Sequence, residues 1–253
     1  MTPVNHSLAA SLLTGARQTR GWLSALPNEC RPHDAEDAYA IQIRVIEKLG
    51  PVGGWKVGAG NPEALPACAA ITQATIIEAG AQISAENFHV LGIEAEIAYR
   101  LTRDLPRRNV AYTSDEILDT IGSVHPVIEV ADTRFSGWGS QDRLSHVADQ
   151  LNHGALIVGD GIEDWRRIDP ATQRVTLTIN GVTVSDVVGG NPAGDPLRLI
   201  LWLANEGARP FGGLRAGNII TTGSLTGVVF QKSPAEIRAC MPGLGNVNFS
   251  IGR

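Results

Sequence analysis

Gly92-Ile93-Glu94-Ala95-Glu96-Ile97-Ala98-Tyr99 alternates strictly, with Ile93, Ala95, Ile97 and Tyr99 on one side and Glu94, Glu96 and Ala98 on the other. Strand side chains point to opposite faces with period 2, so the spacing predicts a strand with one core face and both carboxylates on the second. Two neighbouring carboxylates on an otherwise apolar strand repel each other and are costly to desolvate. Two readings resolve the conflict. Either the second face is solvated, or it holds a hard divalent cation such as Mg²⁺ or Mn²⁺, which takes carboxylate oxygens and keeps waters that a substrate can replace.

Outward from this strand, the chain after residue 50 consists of short β-rich runs split by Gly and Pro. The patterning predicts strands near 54–58, 74–84, 91–100, 124–131, 174–179, 182–188, 218–222 and 226–230. Asn180-Gly181 between two alternating runs predicts a two-residue hairpin turn, whose positions both need φ > 0. The first 50 residues read as helical, with Asp34 capping a stripe of Ala38, Ile41, Val45 and Leu49 that Gly50-Pro51 ends. Thr113-Ser114-Asp115-Glu116 is a capping-box pattern, and a further helix is expected over 141–149. Another is expected over 195–206: Asp195 caps it, Pro196 opens it, Leu197, Ile200, Leu201 and Ala204 face inward, and Gly207 ends it. Irregular strand spacing and long connections exclude a repeating βαβ array. The expectation is an α+β fold with a mixed, mostly antiparallel β core. A helical region over 1–50 and a β-rich domain over 51–253, the expected catalytic part, are expected to form one structural unit.

Composition narrows the function classes. The 253 residues are 43% hydrophobic, enough for a sizeable core, and the net charge of −5 comes without a basic run, which argues against a nucleic-acid partner. Leu199 to Ala204 is too short to cross a bilayer. Ser7 to Leu13 has no preceding Lys or Arg and reads as the start of an amphipathic helix rather than a signal peptide. Cys30, Cys68 and Cys240 are scattered and odd in number, as expected in a reducing compartment. A cytoplasmic protein without a membrane partner is expected.

A third acid, Glu129, interrupts the apolar run His125-Pro126-Val127-Ile128-Glu129-Val130-Ala131. Unpaired buried carboxylates are rare, and three of them around one Mg²⁺ leave coordination positions for waters or a chelating substrate. No His or Cys grouping has zinc-like spacing, so a hard metal is favoured over zinc. Lys56, in Gly53-Gly54-Trp55-Lys56-Val57-Gly58, points away from Trp55 and Val57. It is either a surface lysine or a cation in the glutamates' cavity, where it would anchor a carboxylate or move a proton. Thr221-Thr222-Gly223-Ser224 follows a strand with glycine and hydroxyl groups, equally a plain turn or a small anion cradle. Asp132, Arg134, Gln150 and Asn152 are polar residues close to the Glu129 strand, with structural and binding roles in even balance. No nucleophile elbow or dinucleotide fingerprint is present.

The ordered set of these pieces resembles the fumarylacetoacetate hydrolase superfamily, in its 2-keto-4-pentenoate hydratase and 4-oxalocrotonate decarboxylase branch. The likeness runs from Asp37-Ala38-Tyr39-Ala40-Ile41-Gln42 through Gly54-Trp55-Lys56-Val57-Gly58, Ile93-Glu94-Ala95-Glu96 and Ile128-Glu129-Val130-Ala131-Asp132-Thr133-Arg134. It continues in Ala148-Asp149-Gln150 and ends in Leu214-Arg215-Ala216-Gly217-Asn218-Ile219-Ile220-Thr221-Thr222-Gly223-Ser224. The resemblance implies a distorted β-roll core and a catalytic Mg²⁺ or Mn²⁺ on Glu94, Glu96 and Glu129, with Lys56 as a catalytic group. Arg134, Gln150, Thr222, Gly223 and Ser224 stand as substrate-binding candidates, and a homo-oligomer is implied. Small 2-oxo or 2-hydroxydienoic acids from aromatic ring cleavage are the implied substrates, and water addition the leading reaction. Decarboxylation, acylpyruvate hydrolysis or a catalytically weak metal-binding relative are the alternatives. The likeness departs at one place: hydratases of this branch carry an acid downstream of the lysine that can pair with it, whereas Ala70-Ile71-Thr72-Gln73-Ala74 has none.

Overall fold

The computed structural model describes residues 3–253. Two helices open it, α1 (His6–Thr19) and α2 (Ala35–Leu49), each started by a side-chain cap: Asn5 accepts from Leu8 N and Asp34 from Asp37 N. Then follow β1 (Val52–Gly58), β2 (Ala67–Thr72), β3 (Ile76–Glu78), β4 (Gln82–Ser84), β5 (Gly92–Leu101) and β6 (Leu105–Pro106). Next come α3 (Ser114–Leu118), β7 (Ile121–Ala131), α4 (Arg143–Ala148), β8 (His153–Val158), β9 (Arg174–Ile179) and β10 (Val182–Val188). The chain ends with α5 (Leu197–Trp202), β11 (Gly213–Leu214), β12 (Ile219–Thr221), β13 (Val229–Phe230), β14 (Ala235–Met241) and β15 (Gly245–Gly252).

An eight-stranded sheet runs β2-β1-β12-β5-β7-β8-β3, with β13 added to β5, and a five-stranded sheet runs β10-β9-β14-β15-β4. Between the named strands, parallel pairing is confined to β1–β12, β3–β8 and β4–β15, so the sheets are mixed and mostly antiparallel. Ile93, Ala95, Ile97 and Tyr99 of β5 join the main core, which continues through Leu177, Ile237, Val247 and Phe249 of the second sheet. The opposite face of β5 carries Ala98 into a smaller cluster with Ile71, Val127, Leu156 and Ile219. The two-faced reading of β5 is what the structure shows, although its second face is largely buried rather than solvated. A third cluster, with Ala10, Leu13, Ile41 and Phe135, joins α1 and α2 to α4.

The Asn180-Gly181 hairpin forms with φ of 51° and 76°, pairing Ile179 with Val182. The Thr113–Glu116 capping box closes in both directions. Three readings need correction. The run 74–84 is not one strand. Gly80, at φ 83°, turns the chain, so that β3 joins the large sheet and β4 the small one. Strands β2, β8, β14 and β15 were not expected. β2 is alanine-rich, and β8 is buried along its whole length, so neither displays a periodic signal. Finally, the 195–206 helix is an α-helix only to Trp202 and continues as a π-turn over Leu203–Gly207. The inward stripe also differs from the expected one. Leu199, Ile200, Leu203 and Ala204 are buried, while Leu197 and Leu201 are half-buried. Leu203→Ala should therefore cost about 2–5 kcal/mol, and Leu201→Ala clearly less. Denaturant unfolding of both variants checks the order, and equal costs would show the stripe misassigned.

Candidate metal centre

Strand register assembles the site. Glu94 of β5 lies directly opposite Glu129 of β7, and Glu96 opposite Val127. Lys56 pairs with Thr221 and Thr221 with Ala98, so one row across β1, β12 and β5 puts Lys56 on the glutamates' face. Gly54 permits this row, because a Cβ there would meet the Ile219 carbonyl oxygen at 2.4 Å. Gly58, by contrast, faces open space beside the cavity.

One carboxylate oxygen from each of Glu94, Glu96 and Glu129 lies within 4.8 Å of the other two. Like charges directly opposite in a sheet are destabilising, and here the protein concentrates three. The expectation that they lack a basic partner is corrected by Glu129. Its Oε1 accepts from Lys56 Nζ at 2.8 Å and lies 3.1 Å from His153 Nδ1. Its Oε2 is fully buried and has no hydrogen-bond partner. A buried carboxylate oxygen left without a donor is costly. It suits the coordination shell of a cation, since ligating carboxylates are commonly hydrogen-bonded through their remaining oxygen. Glu96 Oε2 accepts from the Thr221 hydroxyl and, at 2.9 Å, from Gly223 N. Gly223 sits at φ 96°, which favours glycine and turns its N–H onto the carboxylate. The buried Ser224 hydroxyl is unpartnered. An all-carboxylate donor set with an orphaned oxygen fits a hard divalent cation.

Electrostatics separates the three acids. Burial, with Glu129 and Glu94 beside it, pushes the Glu96 carboxyl up to about 8. Burial and Glu129 also raise Glu94. Burial acts on Glu129 in the same sense, but Lys56 and His153 overcome it and hold the carboxyl at about 2. For Lys56, burial works against the charge, yet Glu129, Glu94 and Glu96 together outweigh it and raise the ammonium. His153, lowered by burial to about 4, is neutral at neutral pH and donates from Nδ1.

A pH test follows. The raised Glu96 contributes stability to the metal-free protein that is fully present below its ordinary value of 4.5 and is lost as the pH rises through about 8. Thermal unfolding in chelator should show that decline in the wild type and a smaller one, from Glu94, in Glu96→Gln. The same decline in both proteins would remove Glu96 as its source.

A left-handed turn holds Lys56 from the other side. Gln150, Leu151 and Asn152 have φ of 52°, 51° and 61° in succession, a sparsely populated conformation for residues other than glycine. The turn aims the Leu151 carbonyl at Lys56 Nζ, 2.9 Å away. Gln150 secures it by donating to Ala70 O at 2.8 Å, and Gln141 by donating to Asn152 Oδ1 at 3.0 Å. Arg17 on α1 donates to His153 O at 2.8 Å. The acid missing from Ala70–Ala74 is thus replaced as the partner of Lys56 by Glu129 and a backbone carbonyl.

A cavity of about 570 Å³ opens onto this group, lined by Lys56, Glu94, Glu96, Gly223 and Ser224. Arg134 and Gln150 do not line it. Arg134 is buried and spends its guanidinium on Asp149 Oδ1 at 2.5 Å, Asp149 O and His153 O. The Thr222 hydroxyl donates to Ile97 O, so these three candidates are placed in the supporting framework instead. Sequence reasoning missed His153, Arg143 and His146, and named Thr221 only as part of the turn and not as a partner of Glu96. A histidine opening the apolar run 153–158 was the available sign for His153, and strand parity with Ala98 for the role of Thr221.

The 2-keto-4-pentenoate hydratase of Paraburkholderia xenovorans (strain LB400) is 28% identical over 261 residues, covering 98% of this chain and 95% of that protein. The enzyme of the same name from Paraburkholderia phymatum is 29% identical over 259 residues, covering 96% and 95%. The 4-oxalocrotonate decarboxylase from Pseudomonas putida G7, solved with magnesium and adipate, superposes with a TM-score of 0.86 at 23% identity over 97% of each chain, a likeness of fold. Residues 48–251, which carry Lys56 and all three glutamates, match the model of the fumarylacetoacetate (FAA) hydrolase C-terminal family, and the chain belongs to that family.

Proposed function

We propose that this chain is a divalent-metal-dependent hydratase of a short 2-hydroxydienoic (2-oxo-enoic) acid. The observation that carries the reading is the grouping of Glu94, Glu96 and Glu129, the last with a buried, orphaned Oε2, beside a cavity that Lys56 also lines. Relatives named 2-keto-4-pentenoate hydratase, aligned over nearly the whole chain, supply the reaction class. Glu94, Glu96 and Glu129 would hold Mg²⁺ or Mn²⁺. Bound there, the cation supplies charge neutralisation for a substrate carboxylate and Lewis-acid polarisation of the adjacent 2-oxo oxygen.

The chain's own groups do the rest. Lys56 has three N–H donors and commits two, to Glu129 and Leu151 O. The third is left for a substrate oxygen or a water. Because the surrounding carboxylates keep the ammonium charged, Lys56 acts as a hydrogen-bond donor and electrostatic anchor for a substrate oxygen. Gly223 N–H and Thr221 fix Glu96, and the buried Ser224 hydroxyl lies beside Glu94. Water addition places hydroxyl on the conjugated double bond and a proton on the neighbouring carbon.

The test is the absorbance of the conjugated acid 2-hydroxypenta-2,4-dienoate, followed with Mg²⁺ and with chelator. Metal-dependent loss of absorbance with a 4-hydroxy-2-oxo acid as product is expected. Evolution of CO₂ from a 2-oxo-enedioate without hydration would favour decarboxylation instead. A homo-oligomer belongs to the same reading, and a monomer in sedimentation would remove that part. No helix among the described residues is long and apolar enough to cross a membrane, in keeping with a cytoplasmic location.

A further inference from the structure

We infer that a second cavity, separate from the one at the metal centre, binds a small tetrahedral dianion of the phosphate class between Arg17 and Arg20. The two cavities share no lining residue, so the site stands apart from the proposed reaction.

The cavity holds about 210 Å³, and its wall includes Arg17, Arg20, Thr75, Asn87, His89 and Gly154. That volume is below the roughly 300–1,000 Å³ of pockets for larger organic ligands and suits an ion of phosphate size. Both guanidinium groups are located by what they bond. Arg17 Nη2 donates to His153 O at 2.8 Å, the carbonyl of the peptide group that continues into Gly154 in the wall. The same nitrogen donates to Gln150 Oε1 at 3.2 Å. Arg20 Nη2 donates to Asn87 Oδ1 at 3.2 Å, and Asn87 lines the cavity beside it. Arg17 is half-buried and Arg20 exposed, so one cation stands deep and the other at the rim.

The deep cation lacks a counter-ion. Among the described residues Arg17 has no ion-pair partner, because the nearby acids are taken: Asp149 by Arg134 at 2.5 Å and Glu129 by Lys56 at 2.8 Å. Its Nε and Nη1, with three N–H donors, have no acceptor among those residues. Burial, and then Arg134, lower its pKa to about 9, so negative charge beside it would be stabilising. Arg20 meets Glu86 at 3.6 Å, an exposed pair worth little. Asp132 is the one carboxylate in the wall and is turned to other donors. Its Oδ1 accepts from His89 N at 3.0 Å and Val90 N at 2.8 Å, and its Oδ2 lies 3.8 Å from Arg134 Nη1. Two guanidinium groups with spare donors favour a doubly charged oxyanion over a carboxylate of single charge.

The test is calorimetric titration of the full chain with inorganic phosphate, in chelator so that no metal competes for the ion. The wild type should bind one phosphate per chain, more weakly as salt rises. Arg20→Gln should weaken binding about threefold and Arg17→Met about tenfold or more, while Arg20→Glu should abolish it. Arg44→Gln, at an exposed arginine of α2 outside the cavity, should leave it unchanged. Propionate, with one charge, should bind about tenfold more weakly than phosphate. Absence of saturable phosphate binding in the wild type, or undiminished binding in Arg20→Glu, overturns the site. Propionate binding as tight as phosphate overturns its assignment to a dianion. Arg17 also braces the turn at Leu151, so if Arg17→Met fails to fold, the two Arg20 variants decide.

Discussion

Lys56→Met is expected to lower turnover of the best 2-hydroxydienoate by about 10²–10³-fold, the range for loss of one positioned donor to developing charge. The variant removes a hydrogen bond to Glu129 and one to Leu151 O, and takes a cation out of a cavity wall. In the metal-free protein it also strands the buried Glu129 charge, so apo stability falls. Divalent cation restores that balance, because it occupies the electrostatic role Lys56 vacated. Metal affinity should hold or rise while turnover disappears. That split separates a catalytic lysine from one needed only for folding. Steady-state kinetics beside a Mn²⁺ titration reads it, and activity surviving within about twofold, or less than about 0.5 kcal/mol of barrier, would show that Lys56 is not catalytic.

Glu129→Gln is the second large effect and has the opposite signature. Glu129 is fully buried, accepts from Lys56 and faces His153, and offers Oε2 to the site. The amide cannot balance Lys56 and brings its own donors toward groups that already donate. Loss of one partner of a buried pair costs about 3–5 kcal/mol. Saturable divalent-cation binding should vanish together with that stability. Glu96→Gln should weaken metal binding yet keep the fold, since its carboxyl already favours the protonated form in the absence of metal. Chemical denaturation and a Mn²⁺ titration of the two variants give the comparison. Similar stability losses would show that Lys56 does not distinguish the two acids.

The three glutamates were legible because strand parity is a local property. Ile93 and Ala95 face the core, so Glu94 and Glu96 must face the other way, while Glu129 stood out as the one acid in a continuous apolar run. Parity also explains the one-residue error at the following turn. Thr221 is the last paired residue of β12 and shares the row of Ala98, whereas Thr222 lies beyond it. The Leu151 turn was not legible, because three consecutive non-glycine residues with positive φ carry no compositional mark. What holds them there is tertiary: Ala70 O, Arg17 and Gln141, all remote or out of period. Arg134 and Gln150 were noticed for being polar near the site, and the structure uses that polarity to brace the framework under His153 and Lys56. The π-turn that follows α5 was equally illegible, being a departure from the 3.6-residue period on which the reading depended.

The most direct measurement is an anomalous difference map from crystals of the protein grown with Mn²⁺. One peak is expected per chain, enclosed by carboxylate oxygens of Glu94, Glu96 and Glu129 at roughly 2.0–2.2 Å, the spacing of a hard divalent cation. Glu129 should contribute its Oε2, with Oε1 still on Lys56. A map without a peak there at saturating Mn²⁺, or with the cation bound elsewhere and the three carboxylates unchanged, would contradict a shared metal centre.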